Sequence, residues 1–243
     1  MESNTGIVII NRMKKYIVVL LSTVLLLPAC KQNHPATSTA EKAYSLALRH
    51  GDVQAAINAC YQILADDSTK TNYYDTLVYL YLNTQNQAST YLAAQECYKL
   101  RPTDEKILML LADYSKSLGL PDTSLMYYGK LYQITHKLEY MYDMAQVNYN
   151  ANRFDKAEVL ADSIIANPNS ANETVTLYAD RNSEGQAVPL NAVAYHVKAG
   201  IYLTMGKKDP AVKYLNESIR LFPTFIIALK NKKDVDSGII KLK

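Results

Sequence analysis

The chain has no tryptophan, three phenylalanines and three cysteines among its 243 residues. Three thiols are too few for a disulfide scaffold. Glycine is scarce, eight in all, and no glycine-rich run cradles a phosphate, nor is there a Gly-x-Ser-x-Gly elbow. The four histidines, His34, His50, His136 and His196, form no His-Glu-x-x-His and no Cys/His pair at metal-ligand spacing. Asp66, Asp67, Glu41 and Asp52 read as solvated helix ends. No catalytic residue, metal ligand or cofactor is therefore expected. After Leu27 no apolar run is long enough to cross a membrane as a helix. What the chain does have is tyrosine, 20 residues, whose apolar ring and polar tip suit packing positions with a wet edge.

The one long apolar run lies at the start. Lys14 and Lys15 precede Tyr16 to Leu27, then Pro28, Ala29 and Cys30. A charged start, a short apolar stretch and a small residue at the cut make a secretory signal over 1–29, with Met13 as its natural beginning. The cysteine after Ala29 resembles the lipobox of bacterial lipoproteins, with Leu27 and Ala29 fitting the pattern and Pro28 departing from it. The resemblance implies that Cys30 is acylated and becomes the new N-terminus. Removing the segment takes away Arg12, Lys14, Lys15 and Glu2, so the formal charge falls from +3 to +1. A near-neutral mature chain with no basic stripe argues against nucleic acid as a partner. Residues 30–39 read as a flexible tether. Lys31 after the cysteine, by likeness to enterobacterial lipoproteins, points to the outer membrane, facing the periplasm.

From Ala40 the chain repeats. Gly51, Gln85 and Gly119 are 34 residues apart. Each period holds two amphipathic stretches separated by a polar turn. The turns read His50-Gly51-Asp52, Asn152-Arg153-Phe154-Asp155-Lys156-Ala157 and Met205-Gly206-Lys207-Lys208-Asp209-Pro210-Ala211. The periods close on Leu100-Arg101-Pro102, Asn167-Pro168-Asn169 and Leu221-Phe222-Pro223. Proline ends a helix pair because it cannot continue the ladder. Two antiparallel helices that meet just after a turn need a small residue there, and Ala56, Thr90, Ser124, Ala157 and Ala211 supply it. Ala112, Ala145 and Ala199 do the same on the first helix, where Tyr44 and Val78 depart. Cys60 and Cys97 read as small buried hydrophobes, although a bond between them is not excluded by sequence.

A helix pair at this period resembles the tetratricopeptide repeat. The resemblance implies an all-α, right-handed superhelix of about five helix–turn–helix units, at about 37–70, 71–104, 105–137, 138–169 and 192–225, within a solenoid over 40–236. Residues 224–236 read as a terminal capping helix and 237–243 as a tail. Between about 170 and 191 the period breaks. Glu173 to Ala179 alternates, Asn182 to Gly185 is turn chemistry, and Gln186 to Pro189 makes a return strand, which together predict an inserted β-hairpin. It would pack on a helix through Val175, Leu177 and Val188.

In this repeat family a concave groove lined by first helices binds other proteins. Matching positions are Asn72, Asp75, Tyr79 and Asn83 in the second unit, and Lys106, Met109, Asp113 and Lys116 in the third. The fourth gives Tyr142, Gln146, Tyr149 and Asn150, and the fifth His196 and Leu203. A merely solvated polar face would carry the same residues. Glu41 and Ser45 stand where a basic clamp for carboxylates would need other residues. The resemblance implies a non-catalytic, lipid-anchored scaffold for envelope proteins. The alternative is a dedicated assembly factor, similar to the repeat lipoprotein of the outer-membrane barrel machinery or to secretin pilotins.

Overall fold

The computed structural model describes residues 38–180 and 182–238. Cys30, the signal segment and most of the tether lie outside the described residues, as do Arg181 and the last five residues. Five residues with left-handed backbone set the architecture: Gly51 (φ 68°), Gln85 (55°), Gly119 (73°), Asn152 (57°) and Gly206 (73°). Each follows a first helix by the same geometry. The amide of the left-handed residue donates three residues back, and the next amide donates five back. The pairs are Gly51 to Leu48 and Asp52 to Ala47, Gln85 to Leu82 and Asn86 to Tyr81, Gly119 to Lys116 and Leu120 to Ser115, Asn152 to Tyr149 and Arg153 to Asn148, and Gly206 to Leu203 and Lys207 to Tyr202. This double closure is the Schellman ending of a helix. In the first two units the residue after it also caps the next helix: Asp52 accepts from the Ala55 amide at 2.9 Å and Asn86 from Ser89 at 3.1 Å. A helix thus ends and its antiparallel partner begins within three residues.

The resulting order is α1 (Thr39–Arg49), α2 (Val53–Asp66), α3 (Asn72–Asn83), α4 (Gln87–Leu100), α5 (Glu105–Ser117), α6 (Pro121–Thr135), α7 (Leu138–Asn150) and α8 (Phe154–Ala166). A 3₁₀ turn (Pro168–Ala171) then leads into β1 (Thr174–Leu177) and β2 (Gln186–Pro189), and α9 (Leu190–Thr204), α10 (Lys208–Leu221) and α11 (Ile226–Asp236) follow. The fifth pair begins at Leu190, two residues before the period predicts, because the return strand runs directly into it and Leu190 is fully buried.

The small positions do what close approach demands. Ala56, Thr90, Ser124, Ala157 and Ala211 are all fully buried, as are Ala112, Ala145 and Ala199. The buried hydroxyls of Thr90, Ser124 and Ser218 have partners, and Thr90 donates to the Asn86 carbonyl at 2.8 Å. Ser124 donates to the Ala112 carbonyl at 2.9 Å, and Ser218 to Ala192 at 2.7 Å. Cys60 and Cys97 are buried free thiols. Burial pushes the Cys60 thiol up to about 11 and that of Cys97 up to about 12, so neither is a thiolate at neutral pH.

Tyrosine rings join α1 to α3, α4 to α6 and α6 to α7. Tyr44 meets Tyr73 edge-on at 5.6 Å, Tyr98 meets Tyr127 at 5.5 Å, and Tyr128 stacks on Tyr140 at 6.4 Å. Their hydroxyls find acceptors: Tyr128 donates to Asp113 at 2.5 Å and Tyr140 to Glu105 at 2.8 Å. In the last pair Lys198 is almost fully buried, yet its ammonium lies 2.5 Å from Asp162 and 3.1 Å from Glu158 and sits 4.7 Å from the Tyr214 ring centre. A buried lysine persists only with such partners.

The inserted strands pair antiparallel, with Val175 opposite Val188. Val188 is fully buried, and Val175 and Leu177 pack on the C-terminal core. Two side chains fasten the hairpin at its ends. Glu173 accepts from the Leu138 amide at 2.9 Å, capping α7. Gln186 donates to the Thr224 carbonyl at 2.6 Å and accepts from the Ile226 amide at 3.1 Å, holding the entry to α11.

Two stability outcomes follow. Gln85→Gly raises unfolding free energy by about 0.5–1 kcal/mol, because an L side chain is strained at that φ. Gln186→Ala lowers it by about 1–2 kcal/mol, since two backbone groups lose their partner. Urea unfolding with an unchanged m-value checks both.

Candidate partner-binding groove

On α3 and α5 one face packs on neighbouring helices and the other meets solvent, whereas on α7 only Asn150 and on α9 only Thr204 is exposed. On α3, Leu77, Val78, Leu80 and Tyr81 are buried, while Asn72, Asp75, Tyr79 and Asn83 are exposed. On α5, Ile107, Leu108, Leu111 and Ala112 are buried, while Lys106, Met109, Asp113 and Lys116 are exposed. The 34-residue offset places Met109 beside the level of Asp75, and Asp113 beside that of Tyr79. Tyr79 is 63% exposed and Met109 44%. Leu48 and Leu82, which the sequence pattern did not single out, are also exposed, at equivalent positions of α1 and α3.

The face changes character along the chain. On α7, Asn150 is exposed and Gln146 and Tyr149 are half-buried. Tyr142 departs from the expected surface role: it is 8% exposed, and its hydroxyl accepts from the Gln146 amide at 2.8 Å. It fixes the orientation of Gln146 from beneath. On α9, His196 is half-buried, with its ring 5.2 Å from Phe225 and Nε2 at 2.9 Å from the Asn231 amide nitrogen of α11. Tyr149 reaches across to α9, its hydroxyl 2.9 Å from Thr204 Oγ1.

Several polar groups are already engaged. Asp75 is ion-paired with Arg101 and accepts from the Cys97 thiol at 3.6 Å. Asp113 accepts from Tyr128 and lies 3.4 Å from the Lys116 ammonium, which itself is 3.3 Å from the Tyr128 hydroxyl. Lys116 and Asn150 line a pocket of about 260 Å³ with Gly119, Pro121, Val147 and Ala151. Asp143, which the periodicity gave no reason to single out, is half-buried on α7. Its carboxyl is raised to about 7, chiefly by desolvation; Lys116 opposes this, and Asp113 and Glu139 add to it. No group of three His, Cys, Asp or Glu residues is arranged to hold a metal among the described residues.

A second apolar row escaped the sequence reading. Leu92, Met126 and Val159 are 60%, 45% and 65% exposed, and they occupy equivalent positions on α4, α6 and α8. The repeat spacing carried the signal, since the three numbers differ by 34 and 33.

No family model matches the sequence, and no curated protein is recognisably similar to it. Solved structures do match in fold. A tetratricopeptide repeat protein from Parabacteroides merdae is 13% identical over 83% of this chain and 72% of that one, with a TM-score of 0.54. YrrB, described as a TPR protein with an unusual peptide-binding site, is 14% identical over 78% and 88%, with a TM-score of 0.53. MamA is 15% identical over 76% and 94%, with a TM-score of 0.50.

The raised carboxyl has a definite pH signature. Its folded pKa lies above the unfolded value of about 3.9, so the stability it contributes is fully present below pH 4 and is lost as pH rises through about 7. Asp143→Asn is therefore expected to raise the melting temperature at pH 8 and to leave it unchanged near pH 4; thermal unfolding across that range checks the sign. Five Schellman-closed helix pairs, buried small residues at each crossing and these structural neighbours agree: the chain has the tetratricopeptide-repeat fold, a solenoid closed by a capping helix.

Proposed function

We propose that this protein is a non-catalytic scaffold that binds segments of other proteins along the face formed by its first helices, and that it does so from a lipid anchor on Cys30 in a bacterial envelope. The carrying observation is the exposure of Tyr79 and Met109 at the middle of α3 and α5, on helices whose other faces are closed by packing. Large apolar and aromatic side chains held rigidly by a helix supply contact area at little entropic cost. Asn72, Asn83, Gln146 and Asn150 lie on the same face and offer both donors and acceptors to a peptide backbone. The structural neighbour YrrB is described as having a peptide-binding site, which fits this use of the fold.

The anchor is supported by the Lys14-Lys15 start, the apolar run and Leu27-Pro28-Ala29-Cys30. More than one acyl chain on Cys30 would make attachment durable. The absence of an acidic residue after Cys30 favours an outer-membrane, periplasm-facing site.

In-cell crosslinking followed by identification of the partner tests the scaffold. Tyr79→Ala with Met109→Ala is expected to weaken partner binding at least tenfold while the far-ultraviolet circular dichroism is unchanged. Equal loss from Leu92→Ser with Met126→Ser, and none from the first pair, would move the interface to the second helices. A secretin or barrel-assembly subunit as the partner would mark a dedicated assembly factor. Incorporation of a labelled fatty acid into wild type but not Cys30→Ala tests the anchor.

A further inference from the structure

At the junction of α7, α9 and α11 lies a pocket of about 140 Å³ lined by Gln146, Tyr149, His196, Val197, Gly200 and Asn231. We propose that this pocket receives an uncharged carboxamide, the end of an Asn or Gln side chain on a bound peptide. The proposal rests on the groove reading above and extends it by naming what the C-terminal end of the face selects.

None of the six lining side chains carries a full charge. Burial holds the His196 imidazole down to about 4, so it stays neutral at physiological pH. With the Asn231 amide nitrogen donating to Nε2 at 2.9 Å, the ring proton sits on Nδ1. Asn231 then keeps its carbonyl oxygen and a second N–H. Gln146 spends one N–H on the Tyr142 hydroxyl at 2.8 Å and likewise keeps a carbonyl oxygen and an N–H. The wall thus presents donors and acceptors in mixture and without net charge. A carboxylate needs donors and positive charge, an ammonium needs acceptors and negative charge, and an alkyl group would strand the polar atoms. A carboxamide, with two N–H donors and a carbonyl acceptor, matches both kinds at once.

Space is provided by the chain's own geometry. Gly200 lies inside α9, where glycine is less favourable than alanine. A Cβ there would meet the Tyr149 ring at 3.7 Å, an ordinary contact, so alanine is sterically admissible and packing alone does not require glycine. Its absent side chain leaves open the floor between Tyr149 and His196. Asn231 comes from the capping helix, so the pocket exists only where the array ends.

The test uses the folded chain from residue 31 onward and three probes, the N-acetyl N-methylamides of glutamine, glutamate and norleucine. Binding is read from the His196 ring resonances. The glutamine probe is expected to give saturable shifts with a dissociation constant on the order of millimolar, as a fragment of this size allows, and the other two are not. Gly200→Ala, which keeps the fold and raises its melting temperature, is expected to weaken the glutamine probe severalfold; Asn231→Leu is expected to abolish its saturation. Equal shifts from all three probes would reassign the contact to the backbone amides they share and overturn the proposal. So would an undiminished glutamine response in both variants, or no response at all. Partner binding that still depends on Tyr79 and Met109 would leave the groove standing when the carboxamide pocket falls.

Discussion

Everything in this molecule hangs on a turn of one residue in left-handed backbone. Where the first helix ends, Gly51, Gln85, Gly119, Asn152 or Gly206 reverses the chain, and two amides close back onto the helix just finished. That closure satisfies carbonyls that would otherwise be orphaned. It also leaves no slack, so the second helix must start beside the first and the two backbones run close together. Close backbones demand small residues at the crossing, which is why alanine, serine and threonine recur there and are wholly buried. Repetition of one local geometry therefore generates one interface, copied five times.

A solenoid built this way buries its helices against neighbours in sequence, so no central core fixes the ends. The tyrosines answer part of that problem. Their rings bridge α1 to α3, α4 to α6 and α6 to α7, and their hydroxyls reach Asp113 and Glu105 at the wet edge. The hairpin answers another part. It interrupts the period, yet Glu173 caps α7 and Gln186 grips the chain entering α11. The insertion, a packed hairpin as the sequence predicts, is also a tie between the fourth pair and the cap. Near its tip Tyr178 is exposed and lies against Gly185, where a Cβ would meet Thr176 at 2.6 Å and the Tyr178 ring at 3.0 Å.

The exposed face of the first helices divides by chemistry. Toward the N-terminus it offers apolar residues beside charges that are already paired, as with Asp75 and Arg101. Toward the C-terminus it offers uncharged amides and a neutral histidine. A partner segment laid along it would meet contact area first and hydrogen-bond selectivity at the end. That order follows from the side chains on each helix and from the capping helix, which closes the last surface and contributes Asn231 to it.

The sequence by itself determined the period, the positions of the turns, the small residues at each crossing and the inserted hairpin, because all of these are local. A Gly or Asn at a helix end, an alternating run beside turn residues and a proline after a helix carry their meaning within a few residues. The family resemblance marked the exposed residues of α3 and α5, whose matching positions mostly lie 34 residues apart. Only the tertiary structure decided that Tyr142 is buried and works through Gln146, that Lys198 is accepted inside by Glu158 and Asp162, and that Asp143 sits half-buried opposite Lys116. It alone joined His196 to Asn231, 35 residues apart and on different helices. Burial and pairing across helices depend on which neighbour fills the space, and no period in a sequence records that.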